Sequence, residues 1–367
     1  MKLVRAAFAS AVLVLAAPFM GQLNAWLRRS FPDQFLPIVM GGVIVLLGVG
    51  VLATLWRIRE RRALRYGALA AALVAGAAYS MATATGSPDV DWAERVHFVE
   101  YGLVAFLFYR AWWSAGDVSC LLLPLMAGLF VGLAEEWLQW FIPVRVGELH
   151  DVLLNLVAVA CGLVFSVAAE PPSALSWRLP ASSRRRLAVM GSLVTLAFAF
   201  FIDQVHLGHT ITMATGTFRS HYTAAQLAEL SRDRAARWQV APPTALRRLS
   251  REDQYMDEGL WHVRRRNVAA VAEAWAENRI LEEFYAPVLD TPSYVSATGH
   301  RLPPEQRVAA EAAASGDRGP FISQAEPYPI YTFPRWWLWS AAGILVAALG
   351  IYGLKPQRTQ RTPSQSF

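Results

Sequence analysis

The stretch LPIVMGGVIVLLGVGVLATLW, residues 36–56, carries no charged side chain. A helix of about 20 apolar residues crosses the hydrocarbon core of a bilayer, so this stretch predicts a membrane span. Similar runs occur elsewhere, and the predicted spans are 6–27, 36–56, 63–85, 93–113, 118–141, 150–169, 187–205 and 336–354. The sequence therefore predicts an all-α fold, a polytopic membrane helix bundle of eight transmembrane helices.

The composition agrees with a membrane protein. Hydrophobic residues make up 54% of the 367 residues and charged residues only 17%, against about 25% charged residues in soluble domains. These values exclude a disordered chain and a disulfide-rich secreted scaffold. The two cysteines, Cys120 and Cys161, lie in apolar runs, so we expect neither a disulfide nor a metal site. No cofactor is predicted.

Basic residues near the span ends predict the orientation. They concentrate at Lys2 and Arg5, in 57–65, at Arg110, in 178–186 and in 355–361. Placed in the cytoplasm, as the positive-inside rule requires, they predict an inner-membrane protein with both termini cytoplasmic. Residues 206–333 are then extracytoplasmic. The run 6–27 fits a retained helix, although a basic start and an apolar stretch also describe a signal peptide.

Five regions follow from this topology. They are two N-terminal helices in 1–62, a four-helix core in 63–169, a loop and seventh helix in 170–205, the extracytoplasmic domain 206–333, and an anchor with a tail in 334–367. The domain 206–333 is predicted to be mostly helical. Its net charge is about −1, with 14 Arg against 15 acidic residues, which excludes nucleic acid as a partner. Protein partners could dock there.

Helix signals divide the domain 206–333. Thr223 is a predicted N-cap of a helix that ends near 239, and Pro242 and Pro243 break the pattern. One long helical pattern covers 245–285. Pro303 and Pro304 begin a short helix, and 316–334 is irregular. His206 and His209 mark the end of an interfacial helix.

Ionisable residues inside membrane spans are costly and therefore indicate function. In the fourth span, helical spacing puts Glu94, His97 and Tyr101 on one face, with Glu100 beside them. Three later segments bring polar groups to the same outer-leaflet depth. The candidate ligand-binding residues are His97, Glu100, Tyr101, Glu136, Gln139, Arg145, Asp151 and Asn155.

Three motifs resemble the VanZ-like family. They are ERVHFVEYG at 94–102, EEWLQWFIPVR at 135–145 and DVLLN at 151–155, within residues 63–169. The resemblance implies an integral membrane protein, and the founding member is associated with low-level teicoplanin resistance, which implies a link to glycopeptide tolerance. The chain departs from the family in its extra helices and its added domain, which weakens that implied link.

Three uses of the polar cluster stay open. The side chains could pair with one another and hold the helices together. They could bind a membrane lipid or a lipid-linked glycan, with Arg145 on a phosphate and with Trp137 and Trp140 as faces for sugar rings. They could also catalyse a reaction, with His97 as base or metal ligand and Glu136 or Asp151 as acid.

We interpret the protein as a VanZ-like envelope protein that binds a lipid-linked or glycolipid component in an outer-leaflet pocket. The competing interpretations are a scaffold or accessory subunit of a larger membrane complex and a membrane-embedded enzyme that acts on an envelope lipid.

Overall fold

The computed structural model describes residues 1–84, 86, 88–142, 145–234, 251–293, 296–314 and 321–355. Some features predicted from the sequence lie outside these ranges. They are the helix break at Pro242 and Pro243, Pro143 and Val144 of the second motif, and the basic residues Arg358 and Arg361.

The chain begins with seven long helices. They are α1 (Lys2–Ser30), α2 (Phe35–Arg57), α3 (Arg62–Ala82), α4 (Pro88–Trp112), α5 (Ser119–Gln139), α6 (Leu149–Ala169) and α7 (Ala181–Phe201). A π-helical turn, Ile202–His206, continues α7. The remaining elements are β1 (His209–Met213), β2 (Gly216–Ser220), α8 (Ala224–Arg234), α9 (Arg251–Val268), α10 (Val271–Phe284), α11 (Ala286–Asp290), α12 (Pro304–Ala314), β3 (Ile322–Gln324) and α13 (Arg335–Leu354).

Each of the eight stretches that the sequence predicts as spans contains a long helix in the described residues. Within the described residues, six of them are long and apolar enough to cross a membrane, which makes the chain a multi-pass membrane protein. The other two are α3 and α4. Helix α4 carries Asp91, Glu94, Arg95 and Glu100, and such charges lower its mean hydropathy.

By internal contacts the chain divides into two compact units. The first contains 1–136, 149–199 and 339 onward, and the second contains 137–148 and 200–338. The predicted domain 206–333 falls within the second unit.

The first unit is a helix bundle that uses small residues where helices meet. Helix α4 packs against α1, α2 and α6, and α3 packs against α6. A Cβ atom on Gly162 of α6 would lie 2.5 Å from the Cα of Gly102 in α4. A Cβ atom on Gly128 of α5 would lie 2.5 Å from a methyl group of Val159. Glycine at these points therefore lets the helix backbones approach closely.

The second unit combines short helices with a small sheet in the order β1-β2-β3. Strands β1 and β2 are antiparallel, with Ile211 opposite Phe218. Strand β3 pairs in parallel with β2, so that Ser323 lies opposite Phe218. The sequence interpretation placed no strand in this region. The parallel pairing joins segments about 100 residues apart, which no local pattern reveals.

Around the sheet, two predicted helix starts are confirmed and one predicted long helix is wrong. Thr223 caps α8, since its Oγ accepts a hydrogen bond from the Gln226 N–H at 3.3 Å. Helix α12 begins at Pro304, as predicted. The single helical pattern predicted over 245–285 is wrong within the described residues, because α9 ends at Val268 and α10 begins at Val271. Ala270 between them has extended backbone angles, with ψ at 149°, which interrupts the helix.

The core of the second unit lies between the sheet and the helices α8 to α11. Phe218, Leu227, Tyr255, Leu281 and Tyr285 are buried members of one hydrophobic cluster. Two of these side chains are tyrosines, whose hydroxyl groups require hydrogen-bond partners when they are buried. The interior of this unit therefore also contains polar side chains.

Candidate functional site

The helices α4, α5 and α6 bring four polar side chains together in the first unit. The hydroxyl group of Tyr101 donates a hydrogen bond to Oε2 of Glu135 at 2.5 Å. The amide group of Asn155 donates to Oε1 of Glu136 at 3.4 Å. Gly132 lies between the pairs, because a Cβ there would lie 3.2 Å from Cβ of Asn155 and 3.6 Å from the Tyr101 hydroxyl oxygen.

This cluster includes three of the eight predicted site residues, Tyr101, Glu136 and Asn155, and adds Glu135, which the prediction omitted. Tyr101, Glu136 and Asn155 each expose 0% of their surface. A ligand would therefore have to separate the helices before it reached these groups. Polar pairs of this kind stabilise contacts between membrane helices.

The other predicted site residues are distributed differently. His97 lies beside Glu100, with 4.0 Å between Nδ1 and Oε2, and its ring stacks on that of Tyr101. Asp151 is half-buried in the first turn of α6, where its negative charge favours the helix N-terminus. Gln139 and Arg145 belong to the second unit.

The second unit contains a partly open cavity of about 200 Å³. The residues that line it come from the turn after α5, the π-helical turn after α7 and the residue that follows it, strand β1, the β2–α8 connection and the starts of α8, α9 and α13. They are Trp140, Asp203, Gln204, Leu207, His209, His221, Tyr222, Gln226, Gln254 and Arg335. We call this cavity the polar pocket. Its lining combines the rings of Trp140 and Tyr222 with two imidazoles, charges of both signs and three amide groups.

A π-helical turn positions Asp203 and Gln204 in the polar pocket. Such turns are rare and frequently occur at functional sites, because the wider turn reorients the side chains that it carries. Nε2 of Gln204 donates a hydrogen bond to Oδ2 of Asp203 at 3.1 Å. Nε of Arg335, at the start of α13, lies 3.3 Å from Oδ1 of Asp203.

Trp140 lines the pocket with a fixed ring. Its Nε1 donates a hydrogen bond to the hydroxyl oxygen of Tyr328 at 2.7 Å. Its ring also lies edge-on to the ring of His221, at 6.2 Å between centroids. The indole N–H is thus directed to a protein partner, and the ring contributes apolar surface to the pocket.

Behind the pocket lies a buried carboxylate, Glu258 of α9. It accepts hydrogen bonds from the Ser220 hydroxyl at 2.5 Å, from the Tyr285 hydroxyl at 2.7 Å and from the His221 backbone N–H at 3.0 Å. Burial raises the pKa of Glu258, but the hydrogen bond and charge of His221 and the two hydroxyl donors outweigh it and lower the pKa below its ordinary value. Glu258 is therefore ionised at neutral pH.

Histidines on the pocket wall differ in charge. Burial lowers the pKa of His221, but its hydrogen bond to Glu258 and the attraction of that carboxylate outweigh burial, and the net change is upward. Burial and the positive charges of Arg335 and His221 lower the pKa of His209. The wall therefore presents cationic His221 and neutral His209 near neutral pH.

None of the eight predicted site residues lines the polar pocket; of the residues considered for ligand contact, only Trp140 does so. The pocket residues are separated by up to about 200 positions, so their proximity follows from the tertiary fold. One local signal was available. The alternating run TITM at 210–213, followed by Gly216 and TFRS at 217–220, is typical of a hairpin that would have placed His209 beside the segment of His221.

Among the described residues, no group of three or more His, Cys, Asp or Glu side chains is arranged to hold a metal ion. Comparison with protein-family models, with curated proteins and with solved structures gave no match. The resemblance to the VanZ-like family thus stays a prediction from the three motifs.

Proposed function

We propose that this chain is an eight-span envelope protein with a VanZ-like core that binds the headgroup of an outer-leaflet lipid, lipid-linked or glycolipid, in the polar pocket. The observation that carries this proposal is the position of the pocket residues in the chain. Asp203 lies in the last turn of one candidate span, Ala181–His206, and Arg335 is the first residue of another, Arg335–Leu354. Groups at span ends lie at the depth of lipid headgroups.

The lining of the pocket supports a headgroup as the ligand. Ligand sites combine apolar or aromatic surface with a few fixed polar groups. Here Trp140 supplies the aromatic surface, Asp203 and Arg335 supply charge, and the amides of Gln226 and Gln254 supply hydrogen bonds. Arg335 is 60% exposed, so its guanidinium group can meet a phosphate.

The basic residues near the span ends give the orientation of the chain in the membrane. Both termini and the basic loops lie in the cytoplasm, and 206–333 lies outside the inner membrane. Trp336 and Trp337 at the start of α13 are exposed, which fits an interfacial position. The buried cluster of Tyr101, Glu135, Glu136 and Asn155 then holds the core helices together. A link to glycopeptide tolerance depends on the family resemblance alone.

Native mass spectrometry of the full chain tests the proposal, after extraction in a detergent without sugar groups. Arg335→Ala removes a charged side chain from the lining of the polar pocket. Glu136→Gln replaces a carboxyl group by an amide in the buried cluster of Tyr101, Glu135, Glu136 and Asn155. Arg301→Ala is a matched control, because Arg301 is an exposed arginine paired with an aspartate, Asp290, away from the pocket. We expect a lipid-sized mass on the wild type, on Glu136→Gln and on Arg301→Ala, and its loss from Arg335→Ala.

Two results would overturn the proposal. Loss of the lipid from Glu136→Gln with retention by Arg335→Ala would assign binding to the membrane cluster. Retention of protein partners by all four samples, with no lipid-sized mass on any of them, would favour the scaffold interpretation.

A further inference from the structure

One carboxylate oxygen in the polar pocket, on Asp203, is ion-paired but receives no hydrogen bond from the described residues. The side chain of Asp203 is 10% exposed, and its Oδ1 accepts no hydrogen bond from the described residues. Arg335 lies at ion-pair distance from that oxygen but does not donate a hydrogen bond to it. The charge of Arg335 faces this oxygen, but the described residues leave its hydrogen-bonding capacity unused. A ligand that carries a hydrogen-bond donor would supply the hydrogen bond that Oδ1 of Asp203 lacks.

Two amide groups supply donors on other segments of the pocket. Oε1 of Gln226 accepts the backbone N–H of Thr223 at 2.9 Å as part of the α8 cap. Oε1 of Gln254 accepts the hydroxyl group of Tyr222 at 3.3 Å. Both carbonyl oxygens are used by the protein, and no described residue accepts a hydrogen bond from either NH₂ group, which is therefore available to a ligand acceptor. The pocket therefore offers one acceptor and two amide donors.

Hydroxyl groups match this set, because each can donate to a carboxylate and accept from an amide. A lipid phosphodiester fits less well, since it has no proton to donate to Asp203. A quaternary ammonium group also fits less well. Arg335 already balances the charge of Asp203, and the positive charge of His221 lies on the same wall.

The size of the pocket and its aromatic ring narrow the class of ligand. A volume of 200 Å³ equals about seven waters at roughly 30 Å³ each. That is room for one six-membered sugar ring with its hydroxyl groups. Trp140, of which 4% is exposed, contributes a small apolar contact beside it. A sugar ring carries hydroxyl groups at its edge and C–H groups on its faces, so it fits both parts of the lining.

We propose that the polar pocket binds a single sugar unit of the lipid, with a ring hydroxyl donating to Oδ1 of Asp203 and with Gln226 and Gln254 donating to other hydroxyl oxygens. This inference rests on the proposed function and names the part of the ligand that is recognised. Arg335, exposed at the start of α13, then meets the phosphate or carboxylate that accompanies the sugar.

Saturation-transfer NMR on the full chain in a detergent without sugar groups tests this proposal. The probes are methyl glucoside, N-acetylglucosamine and glycerol 3-phosphate, the last as an anion without a ring. We expect signals from at least one of the two sugars. Asp203→Asn keeps the size of the side chain but weakens the acceptor, and we expect it to lower sugar affinity by about tenfold.

Controls separate binding from folding. Asp290→Asn changes another aspartate that is paired with an exposed arginine, and we expect it to leave sugar binding unchanged. Gln254→Ala removes a donor from a different segment and should weaken sugar binding as well. Thermal unfolding of each variant shows whether it is folded.

The outcomes distinguish the two proposals. If the protein retains lipid but neither sugar binds, or if Asp203→Asn and Gln254→Ala leave sugar binding unchanged, the sugar inference is wrong and the proposed function stands. Equal binding of glycerol 3-phosphate and the sugars would also overturn the sugar inference. If neither lipid nor sugar binds, both proposals fail.

Discussion

Nδ1 of His221 lies 2.7 Å from Oε1 of Glu258, and 0% of the Glu258 side chain is exposed. Nε2 of His221 lies 3.0 Å from the carbonyl oxygen of Val205, in the π-helical turn. An imidazole with an acceptor at each nitrogen satisfies both only when it carries two protons. The pair is therefore an imidazolium and a carboxylate, and it joins the residue after β2 to α9 and to the turn that carries Asp203.

The first prediction concerns the stability contributed by this ion pair. Glu258→Gln keeps the volume but leaves the charge of His221 without its partner, so we expect the free energy of unfolding to fall by about 3–5 kcal/mol. Thermal unfolding followed by tryptophan fluorescence measures the change. Glu305→Gln, on the exposed face of α12, is the control. Equal melting temperatures for the two variants would contradict the assignment of an ion pair.

The second prediction concerns the pH dependence of the same pair. The raised pKa of His221 contributes stability fully below its ordinary value of 6.5, and the contribution is lost as pH rises through the raised pKa. The lowered pKa of Glu258 contributes stability fully above its ordinary value of 4.5, and the contribution is lost as pH falls through the lowered pKa.

The difference in melting temperature between the wild type and Glu258→Gln should therefore be largest between those two ordinary values and should shrink on either side. Melting curves across a pH series measure it. A difference that grows steadily above neutral pH would show that His221 is neutral in the folded protein.

The third prediction concerns the contact between α4 and α6. Gly162→Ala places a methyl group against the backbone of Gly102, which cannot move aside as a side chain can. We expect a loss of stability of about 1–3 kcal/mol from overpacking. Gly350→Ala in α13 is the control, because nothing lies within 4 Å of the added Cβ. A melting temperature that is lowered equally by both substitutions would contradict this packing.

The fourth prediction concerns topology. In a background of Cys120→Ala and Cys161→Ala, Ser173→Cys probes the loop before α7 and Ala297→Cys probes the loop before α12, both at exposed positions. The reagent is a maleimide that cannot cross the inner membrane, applied to cells whose outer envelope has been permeabilised. It should label Ala297→Cys in these cells and should label Ser173→Cys only after lysis. The reverse pattern would contradict the proposed orientation.

Hydropathy predicted the positions of the long helices because a membrane span is a local property of about 20 consecutive residues. Local signals also predicted two helix starts. Thr223 predicted the start of α8, where it contacts Gln226 three positions on, and Pro303 and Pro304 predicted the start of α12. The break between α9 and α10 escaped prediction, because Ala269 and Ala270 carry no glycine or proline signal.

The candidate site was harder to predict from the sequence than the helices. The structure brings together three of the predicted residues, Tyr101, Glu136 and Asn155, and each lies on a helix face that can be read from its own span. The prediction named Glu136 and omitted Glu135, which is the partner of Tyr101. The polar pocket depends on long-range contacts such as that of Asp203 with Arg335, and a π-helical turn has no sequence signature that predicts it.

The most direct test of the central claim is a cryo-electron microscopy map of the full chain in nanodiscs, purified with native lipid and without sugar-bearing detergent. The account predicts headgroup density inside the polar pocket, against Trp140 and Asp203, which disappears in Arg335→Ala. Lipid density confined to the surface of α5 and α6, with the pocket of the wild type empty or filled by water, would contradict it.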